Sequence, residues 1–250
     1  YYGNSGAAAV SSGANTFILY EDFEWGSAGD HIHTSGGSVT WASADTATIS
    51  TAQKYGGSRS ANCVGNPTGN FTNTLATTDN QAIRYRTYKE TAVVNGPTCQ
   101  RGNAATSHQA ILYANGTEDV LYYINAGAQD TGSNMTADTW QLFELTNFAW
   151  AAGTFDIWLN GTKIKTGATC YDGATTDYLN FANNDVTAGR DCWFDEILVR
   201  QFLATEPAWG SWGTQETLLA IANTSHALSS SSPVLVEHKT LAIANASHAL

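Results

Sequence analysis

An all-β antiparallel sandwich is the fold class this sequence predicts, and three observations predict it. Short runs of β-type residues recur between clusters of Gly, Asn, Asp and Thr. Many of these runs alternate apolar and polar side chains, and none sustains a 3.6-residue apolar stripe over three turns. The composition agrees: 250 residues contain 32 Thr and 23 Gly, and only 13% are charged, against about 25% in an ordinary globular domain.

Taken in order, residues 1–15 are small and polar after Tyr1-Tyr2 and read as an N-terminal arm. The sandwich is expected over 16–212. Its candidate strands begin at Thr16–Tyr20, Ser38–Trp41, Ala82–Tyr85, Ala110–Tyr113 and Val120–Ile124. They continue at Trp140–Leu145, Thr154–Leu159 and Cys192–Val199. Asn160-Gly161 lies between Ile157-Trp158-Leu159 and Lys163-Ile164-Lys165, the signature of a tight type I′ hairpin. Residues 213–250 form a different region. LAIANTSHAL at 219–228 returns as LAIANASHAL at 241–250, with nine of ten positions identical at an offset of 22. One copy has too little bulk to build a core of its own, so this extended C-terminal repeat tail is expected to lie on something. Its apolar residues Leu219, Ile221, Leu228, Val234, Leu235, Leu241, Ile243 and Leu250 are candidates for assembly. Strand donation to an open sheet edge would let copies of the chain link into a homopolymer; the alternative is a flexible stalk.

Charge and hydropathy exclude several function classes. Net charge is −11, with 11 Lys and Arg against 22 Asp and Glu, so no basic footprint for nucleic acid exists. No apolar run approaches the ~18 residues of a membrane span. At 42% hydrophobic and 11% aromatic, the chain is too apolar for disorder. It begins Tyr1-Tyr2-Gly3 without an initiator Met or a signal peptide, as expected of a processed secreted protein or a trimmed chain. An extracellular location or a surface appendage is the expectation. Cys63, Cys99, Cys170 and Cys192 show no CxxC spacing, so two disulfides are the simplest reading. Cys63–Cys99 and Cys170–Cys192 would close the shorter loops, and four buried thiols are the alternative.

The middle of the chain resembles the concanavalin A-like (laminin G/glucanase-type) jelly-roll superfamily. The matching segments are Asp138–Leu145, the hairpin Gly153–Ile164 and the closing strand Trp193–Val199, with Tyr20–Glu24 similar to the first strand of jelly-roll carbohydrate-binding modules. The resemblance spans roughly 17–205. It implies two stacked antiparallel sheets, frequent sugar or cell-surface binding and often a structural Ca2+. Such a site is built from the first and last strands, which here carry Glu21, Asp22 or Glu24 and Asp195. A hard cation needs several oxygens at once. The alternative is that Asp195 accepts backbone hydrogen bonds or pairs with Arg200.

Catalysis is not expected. Glycoside hydrolysis needs two carboxylates flanking the bond, and Glu21-Asp22-Phe23-Glu24 and Asp195-Glu196 lack the glucanase spacing. There is no Gly-x-Ser-x-Gly elbow or reactive-Cys signature. His31 and His33 could share a strand face and a metal, with a surface loop pair as the commoner case. Sugar stacking needs an exposed π-face; Trp41, Trp150, Trp209, Trp212, Tyr122 and Tyr123 are candidates, each weighed against core packing. Trp209 and Trp212 would serve equally to anchor the tail. Glycosylation sequons begin at Asn70, Asn115, Asn134, Asn160, Asn223 and Asn245. The reading is a structural subunit of an extracellular fibre, with a non-catalytic, lectin-like adhesion module as the alternative.

Overall fold

The computed structural model describes residues 17–202 apart from 35–36, 38, 44–46, 66–68, 92 and 186. The arm, the repeat tail, Trp209, Trp212, Asn223 and Asn245 therefore lie outside the described residues, as do all eight assembly candidates.

Among the described residues, sixteen strands form two antiparallel sheets, as the alternation predicts. The first sheet contains β1 (Leu19–Glu21), β3 (Ala47–Ser50), β4 (Ser60–Cys63), β6 (Gln81–Lys89), β11 (Gln141–Ala149), β12 (Thr154–Leu159), β13 (Thr162–Thr169) and β16 (Cys192–Gln201). Its order is β13-β12-β11-β6-β16-β4-β3, and β1 shares one edge of β16 with β4: Leu19–Glu21 pair with Ile197–Val199, Ala61–Cys63 with Cys192–Phe194. The second sheet contains β2 (Ala42–Ser43), β5 (Asn70–Asn73), β7 (Asn95–Asn103), β8 (His108–Asn115), β9 (Asp119–Ile124), β10 (Gly127–Asn134), β14 (Tyr171–Asp172) and β15 (Tyr178–Asn183). It runs β10-β9-β8-β7-β15-β5-β2, with β14 on β8. The jelly-roll sandwich is thus borne out.

The core fills the space between the sheets with aromatics. Phe71 is its hub, with Trp41, Phe181, Phe23 and Phe194 rings at centroid distances of 4.9, 5.4, 5.7 and 5.8 Å. Asn160 (φ 50°) and Gly161 (φ 79°) both turn left-handed between β12 and β13, as a type I′ hairpin requires. Asn160 accepts from the Leu142 amide at 2.9 Å, which pins the tip to β11. In β16 the register slips between Asp195 and Leu198, with Glu196 at φ 47°. This bulge aims Asp195 inward and Glu196 outward to Arg86 at 2.8 Å.

The four cysteines are free and buried. Burial pushes the thiols of Cys63, Cys99 and Cys192 well up. The expected pairings are not what the fold brings together. Cys99 sits in the other sheet from Cys63, and no bond joins them. Cys170 follows β13, four strands from β16 across the sheet, or about 19 Å at the usual strand spacing. Cys192 instead stands directly opposite Cys63.

Candidate functional site

The carboxylates proposed for calcium are taken up by N–H donors and do not form one centre. Glu21 is buried and accepts from the Phe23 amide at 2.9 Å and from the Trp25 and Trp41 indoles at 3.0 and 3.1 Å. These bonds hold the bulky Phe23 at φ 56°. Asp22 accepts from the Glu24 amide, and Glu24 from the Ser58 and Arg59 amides. Asp195 accepts from the Tyr55, Gly56 and Glu196 amides at 2.9, 3.2 and 2.8 Å, which is the backbone alternative read from the sequence. Donors aimed at these oxygens disfavour a cation, and among the described residues no three His, Cys, Asp or Glu form a metal-holding group. The set does not fit Ca2+.

Burial outweighs the three amides at Asp195 and raises its carboxyl to about 6; Glu21 is raised by burial as well. The folded chain therefore holds protons that the unfolded chain releases near pH 4. The stability these two groups contribute is full below that range and is lost as pH rises from about 4 to about 6. Asp119 and Asp185, whose carboxyls are lowered, instead lose their contribution as pH falls below about 4. Asp195 alone accounts for about 3 kcal/mol of the fall. In urea unfolding followed across this range, Asp195→Asn is expected to flatten the decline to the share of Glu21; an unchanged slope would refute the assignment.

Of the proposed sugar platforms, Trp41 and Trp150 are buried at 2% and 3% exposure and belong to the core. Their indole N–H groups are spent on Glu21 and on the Thr78 carbonyl, so neither offers a face. Tyr122 points inward, while Tyr123, its neighbour, is exposed at 39%. His31 and His33 are not on one strand: His31 bridges to Thr48 and Ile32–Thr34 form a single 3-10 turn, with the rings 5.5 Å apart. The amides of Asn115, Asn134 and Asn160 bond within the fold, to Asp119, to Thr117 and Asp119, and to Gln141. Asn70 opens β5 half-buried.

What the fold does assemble is the outer face of the second sheet. On β8, Ala110, Leu112 and Ala114 point into the core, leaving Gln109, Ile111 and Tyr113 outside. Tyr113 stands 5.7 Å from Tyr123 of β9, which stands 6.4 Å from Tyr171 of β14. Three tyrosine rings in series thus cross three strands. Burial and the neighbouring Tyr123 push the Tyr113 hydroxyl up, so it stays a neutral donor. Tyr178 of β15 lies across Gly102 of β7, where an added Cβ would come 2.4 Å from the ring; the missing side chain is the seat. Its hydroxyl donates to Gln109. Gln100 and Asn180 are paired in the next row, and Thr72 donates to Asn180 at 2.8 Å. At one end, His108 Nδ1 lies 2.7 Å from the Trp150 carbonyl and Nε2 3.2 Å from Asp172. Asp172 in turn takes the amide of Asn125, beside a cleft of about 280 Å3 that also meets Cys170. The Cys170 thiol is pushed up to about 12 by burial and Asp172, so it is no nucleophile at neutral pH. Tyr113, Tyr171 and Tyr178 were missed by the sequence reading; only the register brings Tyr113 and Tyr171 beside Tyr123, and Tyr178 onto Gly102 and Gln109 of the same face.

No family model matches the chain, and no curated protein matches its sequence. The fold is shared with solved structures. An endo-β-1,4-glucuronan lyase from the fungus Trichoderma reesei aligns with TM-score 0.52 at 12% identity, over 74% of this chain and 96% of the lyase. The cellulose-induced protein Cip1 aligns with TM-score 0.50 at 19% identity, over 72% and 96%. The binding domain of botulinum neurotoxin serotype D gives 0.50 at 12%, over 76% of this chain and 49% of that one. The lyase corrects the expectation that the chain is not an enzyme. That expectation weighed only paired-carboxylate hydrolysis and nucleophilic residues, whereas a protein that shares the fold is a lyase. Among the described residues no helix is long and apolar enough to cross a membrane.

Proposed function

We propose that residues 17–202 form an extracellular glycan-binding domain whose ligand lies on the outer face of the second sheet. The observation that carries this reading is the series Tyr113, Tyr123 and Tyr171, flanked by hydroxyl and amide side chains. Pyranose rings stack on π-faces, and their hydroxyls need neutral donors and acceptors beside them. The glucuronan lyase, by its name a polysaccharide enzyme on the same fold, supports it. Affinity electrophoresis against a panel of soluble polysaccharides tests it. At least one is expected to retard the chain, with Tyr123→Ala weakening that affinity about tenfold, or 1.4 kcal/mol, and Tyr123→Phe nearly unchanged. No retardation, or retardation indifferent to Tyr123→Ala, would sink the reading.

The 22-residue repeat favours a second, compatible reading, a subunit of a surface fibre linked through 213–250. Negative-stain images should show filaments that vanish on deleting 213–250; only monomers in the full chain would exclude it.

A further inference from the structure

We infer that the glycan held on this face is uncharged. The inference rests on the glycan reading and adds its chemical class. Each Lys and Arg of residues 17–202 has a place elsewhere. Arg84 and Arg86 stand on the outer face of the first sheet, opposite Glu144 and Glu196. Lys163 pairs with Asp156 at 2.9 Å, and Lys165 of β13 lies over the inward Tyr122 ring. Arg59, Lys54 and Arg200 bond the carbonyls of Glu24, Thr51 and Gln201. Lys89 and Arg101 are buried, and Arg190 faces Asp185 at 3.6 Å. The tyrosine face carries instead Asp130, exposed on β10 and opposite Leu121 of β9. A polyuronate laid here would set its carboxylates beside Asp130 with no lysine or arginine of residues 17–202 to receive them, losing hydration without recompense. A neutral sugar asks only for the π-faces, hydroxyls and amides that are present.

Calorimetric titration of the full chain with cellohexaose, xylohexaose and oligoglucuronate decides it. A neutral oligosaccharide is expected to bind with an affinity that changes less than about twofold between low and high salt. Oligoglucuronate is expected to fail to bind until Asp130→Lys is introduced. Oligoglucuronate binding the unaltered chain as tightly as the neutral ligands would overturn this inference while leaving the glycan reading intact. Silence from all three would overturn both.

Independently, the strand register points to a disulfide between Cys63 and Cys192 in the oxidised protein. The two residues are direct partners in antiparallel β4 and β16, both with no exposed surface. Such partners have Cα atoms about 4.5 or 5.5 Å apart, and both values lie within the disulfide range. In forming the bond, two thiols give up two protons and two electrons. A low-molecular-weight disulfide accepts them and leaves as two thiols, by exchange through a mixed disulfide. Both thiols are buried and neutral once folded, so exchange must precede closure of the core. The link would close a ring around β5–β15, which hold most of the tyrosine-bearing sheet. Refolding with glutathione disulfide and non-reducing peptide mapping is expected to give one linked pair, 63 with 192, and alkylatable Cys99 and Cys170. Reduction should lower Tm by about 10 °C. Four alkylatable thiols, or a link to Cys99 or Cys170, would overturn the assignment.

Discussion

Phe71→Ala is expected to lower unfolding free energy by about 3–5 kcal/mol in urea titration, enough to remove much of the stability of an ordinary domain. Phe71 has no exposed surface and touches four aromatic rings from both sheets and from the loops after β1 and before β2. Those rings are themselves held: Trp41 by its bond to Glu21, Phe23 by its amide on the same carboxylate. The site cannot collapse around a missing ring, and the cavity term should be near its upper range. A loss below 1 kcal/mol would show that the core is loosely packed. Phe71→Leu, which keeps more of the volume, should cost less than half as much.

The second large effect concerns Arg101. Its guanidinium is buried and bonds the carbonyls of Leu75, Ala76 and Tyr178 at 2.9, 2.8 and 3.1 Å, and Gln81 at 3.0 Å. Burial lowers its pKa to about 10, so it remains charged at neutral pH. Arg101→Met is expected to cost about 3–5 kcal/mol, because the acceptors are left dry. Arg101→Lys should recover only part, since one ammonium cannot reach a spread fork of acceptors. Arg101 also ties the Tyr178 backbone, so neutral-glycan affinity should fall in the folded fraction of Arg101→Lys. Unchanged stability in Arg101→Met would refute this role.

The hairpin of β12 and β13 was legible because everything it needs is local: alternation on each side and two residues that tolerate positive φ. The same holds for β6, β8, β9 and β16, whose apolar runs stand out. By contrast β7 reads NGPTCQRGN, two glycines and a proline, and suggests a turn. It is a strand because it lies centrally between β8 and β15. Pro97 is tolerated beside a register shift, and Gly102 makes room for Tyr178. Neither reason exists until the partners are in place. The site failed in a similar way. Tryptophans drew notice for their size, yet size is what buries Trp41 and Trp150. The tyrosines became a surface only through a register that joins residues 113, 123 and 171. The carboxylates of the first and last strands suggested a cation, but the fold spent them on N–H donors, Glu21 and Asp22 on the loop after β1, Glu24 and Asp195 on the loop between β3 and β4.

β16 is paired with β6 on one edge and with β4 and β1 in turn on the other. Among the described residues it is also the last strand in chain order. During synthesis, β6 and β4 must therefore wait with open hydrogen-bonding edges until residues 192–201 have left the ribosome. Such long-range closure makes folding slow and exposes sticky edges in the interim. A nascent chain stalled before residue 192 should be protease-sensitive and chaperone-bound, with protection arriving abruptly once that strand emerges.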